Sequence, residues 1–151
     1  MEEQTVTPPN CETLNYSVLS LVAVKKPAEG TSSPNFATGM HIGEDGRMYD
    51  VFLRCSHQDG DFTFDCIVEG NFKYHDSITE GNARNAWING CMILYGIIRA
   101  IYMTTAAQCV HRTPVLPSVM MVDVVNRQIE ELKRAAETAA AQASSPSAQT
   151  D

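Results

Sequence analysis

The side chains with the most chemical potential in this sequence are a few histidines and cysteines and a scatter of glycines. Cys55 and His57 stand two positions apart, which puts both on one face of an extended strand, where a thiolate and an imidazole can begin a zinc site. Zinc needs three or four ligands, and nothing at that spacing completes the set, so Cys55 reads as core packing and no metal or other cofactor is expected. Cys91 is a nucleophile only in principle: it falls inside a long apolar segment, where burial raises a thiol's pKa and suppresses the thiolate. Gly39, Gly43 and Gly46 lack the Gly-Lys-Ser/Thr that makes a glycine loop a phosphate cradle. His41, His75 and His111 have no carboxylate or serine partner recognisable in the sequence. No catalytic constellation is legible, and an enzyme is not expected.

The chain that must position these residues has 151 of them, 44% hydrophobic and 19% charged. That suffices for one domain with a real core and excludes collagen-like, coiled-coil and wholly disordered chains. Eleven Lys and Arg against 18 Asp and Glu leave a net charge of -7, which offers nucleic-acid phosphates nothing to bind but suits a soluble surface or a basic partner. The acidic start, Met1-Glu2-Glu3, lacks the pattern of a secretory signal, and the five cysteines include no Cys-x-x-Cys; reduced thiols in a cytoplasmic protein are expected. Ala86 to Ala107 carries a single charge, Arg99, and as a helix it reaches across a bilayer core of about 30 Å. Asn89 and Arg99 inside that window, the latter costing about 2.5–3.5 kcal/mol near a span centre, favour a helix buried on several sides over stable membrane insertion.

Residues 1–13 carry Pro8-Pro9 and little apolar content, and residues 144–151 are Ser, Pro, Ala and Gln; both read as disordered tails around a single domain over 14–143. Tyr16 to Lys25 is apolar on both alternation faces, the pattern of a strand covered on at least one side. Phe36, Thr38, Met40 and Ile42 alternate with Ala37, Gly39 and His41 as a second strand. Tyr49 to His57 and Asp61 to Glu69 form a hairpin about a turn at Asp59-Gly60, with Leu53 expected opposite Cys66 and Arg54 opposite Asp65. A helix from about Asn82 to Cys109 follows, then Thr113-Pro-Val-Leu-Pro as a stiff connector. Asp123 is placed to cap a second helix, in which Val125, Ile129, Leu132 and Ala136 form a stripe and Glu130 pairs with Arg134. Met120, Met121, Val122, Val124 and Val125, beside Leu116 and Val119, then cluster where connector meets helix, as core contacts or as a Met-rich groove that repacks around different apolar partners.

Four separated segments resemble the SecB family of protein-export chaperones. Ile93-Leu94-Tyr95-Gly96-Ile97-Ile98-Arg99 is similar to that family's Ile-Leu-Phe-Pro-Tyr-x-Arg, with Gly96 in place of the usual proline, and the Thr113 connector follows at matching distance. Upstream, Tyr49-Asp-Val-Phe-Leu-Arg resembles the family's third strand and Val68-Glu-Gly-Asn-Phe72 the close of its fourth. Val119-Met-Met replaces the family's Val/Ile-Asn-Phe, and the C-terminal tail shows no family-like motif for docking the SecA motor ATPase.

The resemblance implies an α+β fold: a four-stranded antiparallel sheet followed by two helices packed on one face. It also implies a homotetramer, a dimer of dimers packed through the first helix at Tyr95, Ile98, Arg99 and Tyr102. Such a protein holds unfolded polypeptide clients without ATP, in a groove expected to comprise Phe36, Tyr49, Leu116, Met120, Met121 and Val125. Asp65 falls on the family's acidic motor-docking position, although the expected hairpin already gives it Arg54 as partner. An adaptor for one dedicated partner, of the antitoxin-linked kind, is the second reading. A hotdog-like thioesterase using a polar residue such as Asn89 is the third, disfavoured by the strong second helix.

Overall fold

Strict alternation of buried and exposed residues builds the centre of the sheet. In the computed structural model, which describes residues 11–25, 30–109 and 115–144, β1 (Cys11–Lys25), β2 (Asn35–Ile42), β3 (Met48–Asp59) and β4 (Phe62–Tyr74) precede α1 (Ala83–Cys109) and α2 (Met121–Ala143). The strands are antiparallel in the order β1-β4-β3-β2. Tyr49, Val51, Leu53 and Cys55 of β3, with Phe62, Phe64, Cys66, Val68 and Phe72 of β4, form the buried face. The α+β architecture expected from the sequence, four antiparallel strands and two helices, is the one observed.

The hairpin faces are as expected, but the register is not. Leu53 faces Val68 and Cys55 faces Cys66, because the turn is Gly60-Asp61 rather than Asp59-Gly60. Gly60 takes φ 61° while no non-glycine residue among the described ones has positive φ, so the glycine occupies the first turn position, as a type II′ hairpin requires. The slip moves every partner by two positions, leaves each side chain on its face, and sets Asp50 opposite Asn71 and Phe52 opposite Glu69. Arg54 now faces Ile67, yet it still reaches Asp65 diagonally through two hydrogen bonds of 3.1 and 2.6 Å.

Strand β1 starts at Cys11, inside the stretch expected to be a tail, and residues 1–10 and 145–151 lie outside the described residues, with Ser144 as the helix cap. Register shifts fall between Thr13 and Asn15 and between Val18 and Ser20. They explain the double-sided apolar pattern: with Leu19 skipped, Tyr16 and Val18 share the helix-side face with Leu21 and Ala23. Even so, Tyr16, Val18 and Leu21 are exposed, as are Leu14, Leu19 and Val22. The edge strand is greasy and uncovered.

By length and composition α1 alone among the described helices could cross a membrane. Ten of its residues, including Trp87, Cys91, Leu94, Tyr95, Ile98 and Tyr102, are buried in the protomer. Gly90 permits the close seat: a Cβ there would stand 2.7 Å from Val51 Cγ2. A buried polar clamp adds direction, since Thr38 Oγ1 donates to the Phe52 carbonyl at 2.7 Å and accepts from Trp87 Nε1 at 3.0 Å. Met92, Gly96, Ala100, Met103 and Thr104 face away and are exposed.

Helix α2 runs antiparallel to α1, as two cross-links show: Tyr95 to Pro117 and Arg84 to Asn126. Its N-cap is Met120, without a side-chain cap bond; Asp123 lies within the first turn, where its charge favours the helix N-terminus rather than capping it. Glu130 pairs with Lys133 at 3.5 Å, not with Arg134.

Candidate functional site

The entry to β2, the connector and the first turns of α2 enclose an open cleft of about 430 Å³. Ser33, Pro34 and Phe36 form one wall, Pro117 and Val119 the end, and Asp123, Val124 and Arg127 the other wall. Alternation turns Phe36 inward from the start of β2, where its ring meets Tyr95 edge-on at 5.4 Å. Leu116, at 1% exposure, anchors the connector in the core. Beside it the Tyr95 hydroxyl donates to the Pro117 carbonyl at 2.5 Å; burial raises the phenol's pKa, so the donor proton stays in place. On α2, Met121, Val124 and Val125 turn towards the core, leaving Asp123 and Arg127 on the cleft side. Arg127 Nη2 reaches across to donate to the Phe36 carbonyl at 3.3 Å.

The expected groove residues therefore divide. Phe36 lines the cleft, and Met120, at 66% exposure, stands between Val119 and the start of α2. Leu116, Met121 and Val125 are buried beneath as its support. Tyr49 does not belong: it pairs with Ile42 at the other end of the sheet and stacks on Phe72 at 5.4 Å. Pro34, Pro117 and Arg127 were missed, whereas Val119 and Val124 belong to the Met-rich cluster expected at the head of the second helix. The prolines beside apolar residues on either side of the cleft were a usable signal; Arg127 had none, because only the tertiary fold brings it to β2.

The subunit-contact set is also corrected. Tyr102 packs edge-on against Phe64 at 5.0 Å and Phe62 at 5.6 Å, and Tyr95, Ile98 and Tyr102 are all buried against their own sheet. Arg99 is only partly buried, its guanidinium 6.0 Å from the Tyr95 ring centroid. The large aromatics went inward because they bury the most area, leaving Met92, Gly96, Ala100 and Met103 outside. Asp65 lies on the sheet face away from the helices, its carboxyl held below the usual range by the Arg54 hydrogen bonds. That charge is largely neutralised in place.

The core thiols are not activated nucleophiles. Burial pushes the thiols of Cys55 up to about 12 and of Cys91 to about 11, as expected for inert core cysteines. His57 is buried and its pKa is lowered by desolvation; it does not join Cys55 in a metal site, and no metal-ligating cluster occurs among the described residues. His111 lies outside them. What the arrangement can do is remove apolar surface from water, at about 25 cal/mol per Å².

The chain matches no protein-family model and no curated protein. Solved structures do match it. The Mycobacterium tuberculosis SecB-like chaperone Rv1957, in complex with a ChAD peptide from the Rv1956 HigA1 antitoxin, superposes with a TM-score of 0.57 at 19% identity, over 73% of this chain and 91% of that one. The fold is SecB-like. A protein of unknown function from Streptococcus agalactiae also superposes, with a TM-score of 0.51 at 10% identity over 72% of this chain and 97% of its own. In this SecB-like fold the cleft is the concavity bounded by β2, the connector and α2, and the exposed apolar surface is a separate feature on β1 and α1.

Proposed function

We propose that this protein is an ATP-independent holdase chaperone of the cytoplasm, which binds apolar segments of unfolded polypeptides in the cleft between Phe36 and Val124. The observation that carries the reading is an open apolar cleft, flanked by exposed Met120, in a SecB-like fold. An unbranched thioether repacks around many shapes, so affinity without strict sequence specificity follows. No cofactor and no chemical step are needed. The test is suppression of aggregation of several unrelated denatured proteins by equimolar amounts of the protein. Protection of none of them would remove the holdase reading.

A dedicated adaptor is the second reading, favoured by the antitoxin peptide bound to the mycobacterial SecB-like chaperone. The same assay separates the two, since an adaptor protects one natural partner and leaves the unrelated proteins to aggregate. Delivery to the SecA motor is a finer proposal resting on Asp65, and loss of motor binding on Asp65→Asn is its test.

We further propose that copies of the chain assemble as a dimer of dimers. Six exposed apolar side chains along the edge strand β1 are surface of the kind that stable proteins cover, and the exposed face of α1 offers a second patch. Native mass spectrometry is expected to give four chains; a stable monomer would overturn the assembly.

A further inference from the structure

We infer that the cleft prefers apolar client segments flanked by an acidic side chain, with Arg127 reading that carboxylate. The inference rests on the proposed client cleft and names the chemistry of its preferred occupant. Arg127 lines the cleft and is itself exposed. Its described partner is the neutral carbonyl of Phe36, at 3.3 Å, whereas charge-assisted bonds from guanidinium to carboxylate lie at about 2.7–2.9 Å. A guanidinium has five N–H donors in a planar fork, so most of its capacity is open to an incoming carboxylate.

The other charge in the cleft does not fill that role. Asp123 sits one helical turn before Arg127, the spacing at which a helix normally forms an i, i+4 pair, yet no ion pair joins them among the described residues. Asp123 instead lies in the first turn of α2, where the helix N-terminus offsets its negative charge. The cleft therefore offers a guanidinium held in no ion pair among the described residues, beside Phe36, Val119 and Val124, although Asp123 lines the same cleft and the whole chain carries a net charge of -7. An aromatic or aliphatic anchor seated among those three, with Asp or Glu as a near neighbour, satisfies both parts. Exposure of Arg127 keeps the preference modest, about three- to fivefold in affinity.

The test uses fluorescence anisotropy with the full chain and acetylated, amidated peptides that carry the same aromatic anchors flanked by Asp, Asn or Lys. Blocked termini leave the side chain as the only carboxylate source. The expected order is Asp tightest and Lys weakest, with the spread shrinking at high salt, as screening of a charge contact requires. Arg127→Gln should abolish the difference between Asp and Asn, Arg127→Glu should reverse the order, and Asp123→Asn should tighten the Asp peptide. Because Arg127 is exposed, thermal melts are expected to show the variants folded. Equal binding of all three peptides, or an order that survives Arg127→Glu, overturns the acidic preference and leaves the holdase reading standing. Absence of any peptide binding, together with no protection of denatured proteins, overturns both.

Discussion

The Tyr95 hydroxyl donates to the Pro117 carbonyl at 2.5 Å while the ring of the same residue meets Phe36 edge-on. One side chain of α1 thus touches two sides of the cleft, and its hydroxyl joins buried Leu116 in holding the connector against the core. Tyr95→Phe keeps the ring contact and deletes the bond, leaving the Pro117 carbonyl without this partner. The expected cost is about 0.5–1.5 kcal/mol of stability, with faster amide exchange confined to the segment from Leu116 to Met120 and weaker client binding. If exchange there is unchanged, the hydroxyl does not set the cleft.

Much of this fold was legible because alternation survives small errors. The hairpin register slipped by two positions, but a shift of two preserves facing, so Val51, Leu53, Cys55, Phe64, Cys66 and Val68 were all placed on the correct side. Strand β1 was harder to read: its register shift at Leu19 swaps the faces midway, and no local pattern marks a bulge. In α1 the failure had a different cause. A helix apolar all round carries no periodic signal for its sheet side, so Tyr95, Ile98 and Tyr102 were assigned outward when they pack inward. Gly96, Ala100 and Thr104, small residues four apart, were the available hint of the outer face. The cleft was legible only in its Met-rich half, since Arg127 and Phe36 are 91 positions apart in sequence.

Adjacent methionines should respond differently to the same substitution. Met120 is exposed at the head of α2, whereas Met121 is 3% exposed and inside the core. Met120→Asp supplies the side-chain cap that α2 lacks and is expected to stabilise the fold by about 0.5–2 kcal/mol while impairing suppression of aggregation. Met121→Asp places an unpaired carboxylate in the core and should cost about 3–5 kcal/mol, enough to unfold much of the population in a thermal melt. Normal client protection by Met120→Asp would remove that side chain from the site.

Two glycines of α1 give opposite signs. At Gly90 an added methyl would stand 2.7 Å from Val51 Cγ2 and 3.2 Å from its Cβ, and a β-branched strand residue has no rotamer to yield into. Gly90→Ala is expected to destabilise by about 1–3 kcal/mol. At Gly96 nothing lies within 4 Å, so the alanine there gains helix propensity of about 1 kcal/mol. Urea midpoints of the two variants, measured side by side, should fall on opposite sides of the parent.

Acid should weaken the hairpin-turn end of the sheet first. His57 is buried with its ring 5.8 Å from that of Tyr102, which also packs on Phe62 and Phe64. Desolvation lowers its pKa from 6.5, outweighing Asp59 and the backbone at Ser32, which both pull it up. In the window between the folded pKa and 6.5 the unfolded chain binds more protons than the folded one, so stability rises with pH there. The contribution is complete above 6.5 and is lost as pH falls through the lowered folded value. Urea midpoints of the parent chain should therefore decline from pH 7.5 to pH 5, about the range over which a histidine titrates. His57→Gln, which cannot charge, should show a flatter profile over that interval. An equal decline in the variant would assign the acid sensitivity to other groups.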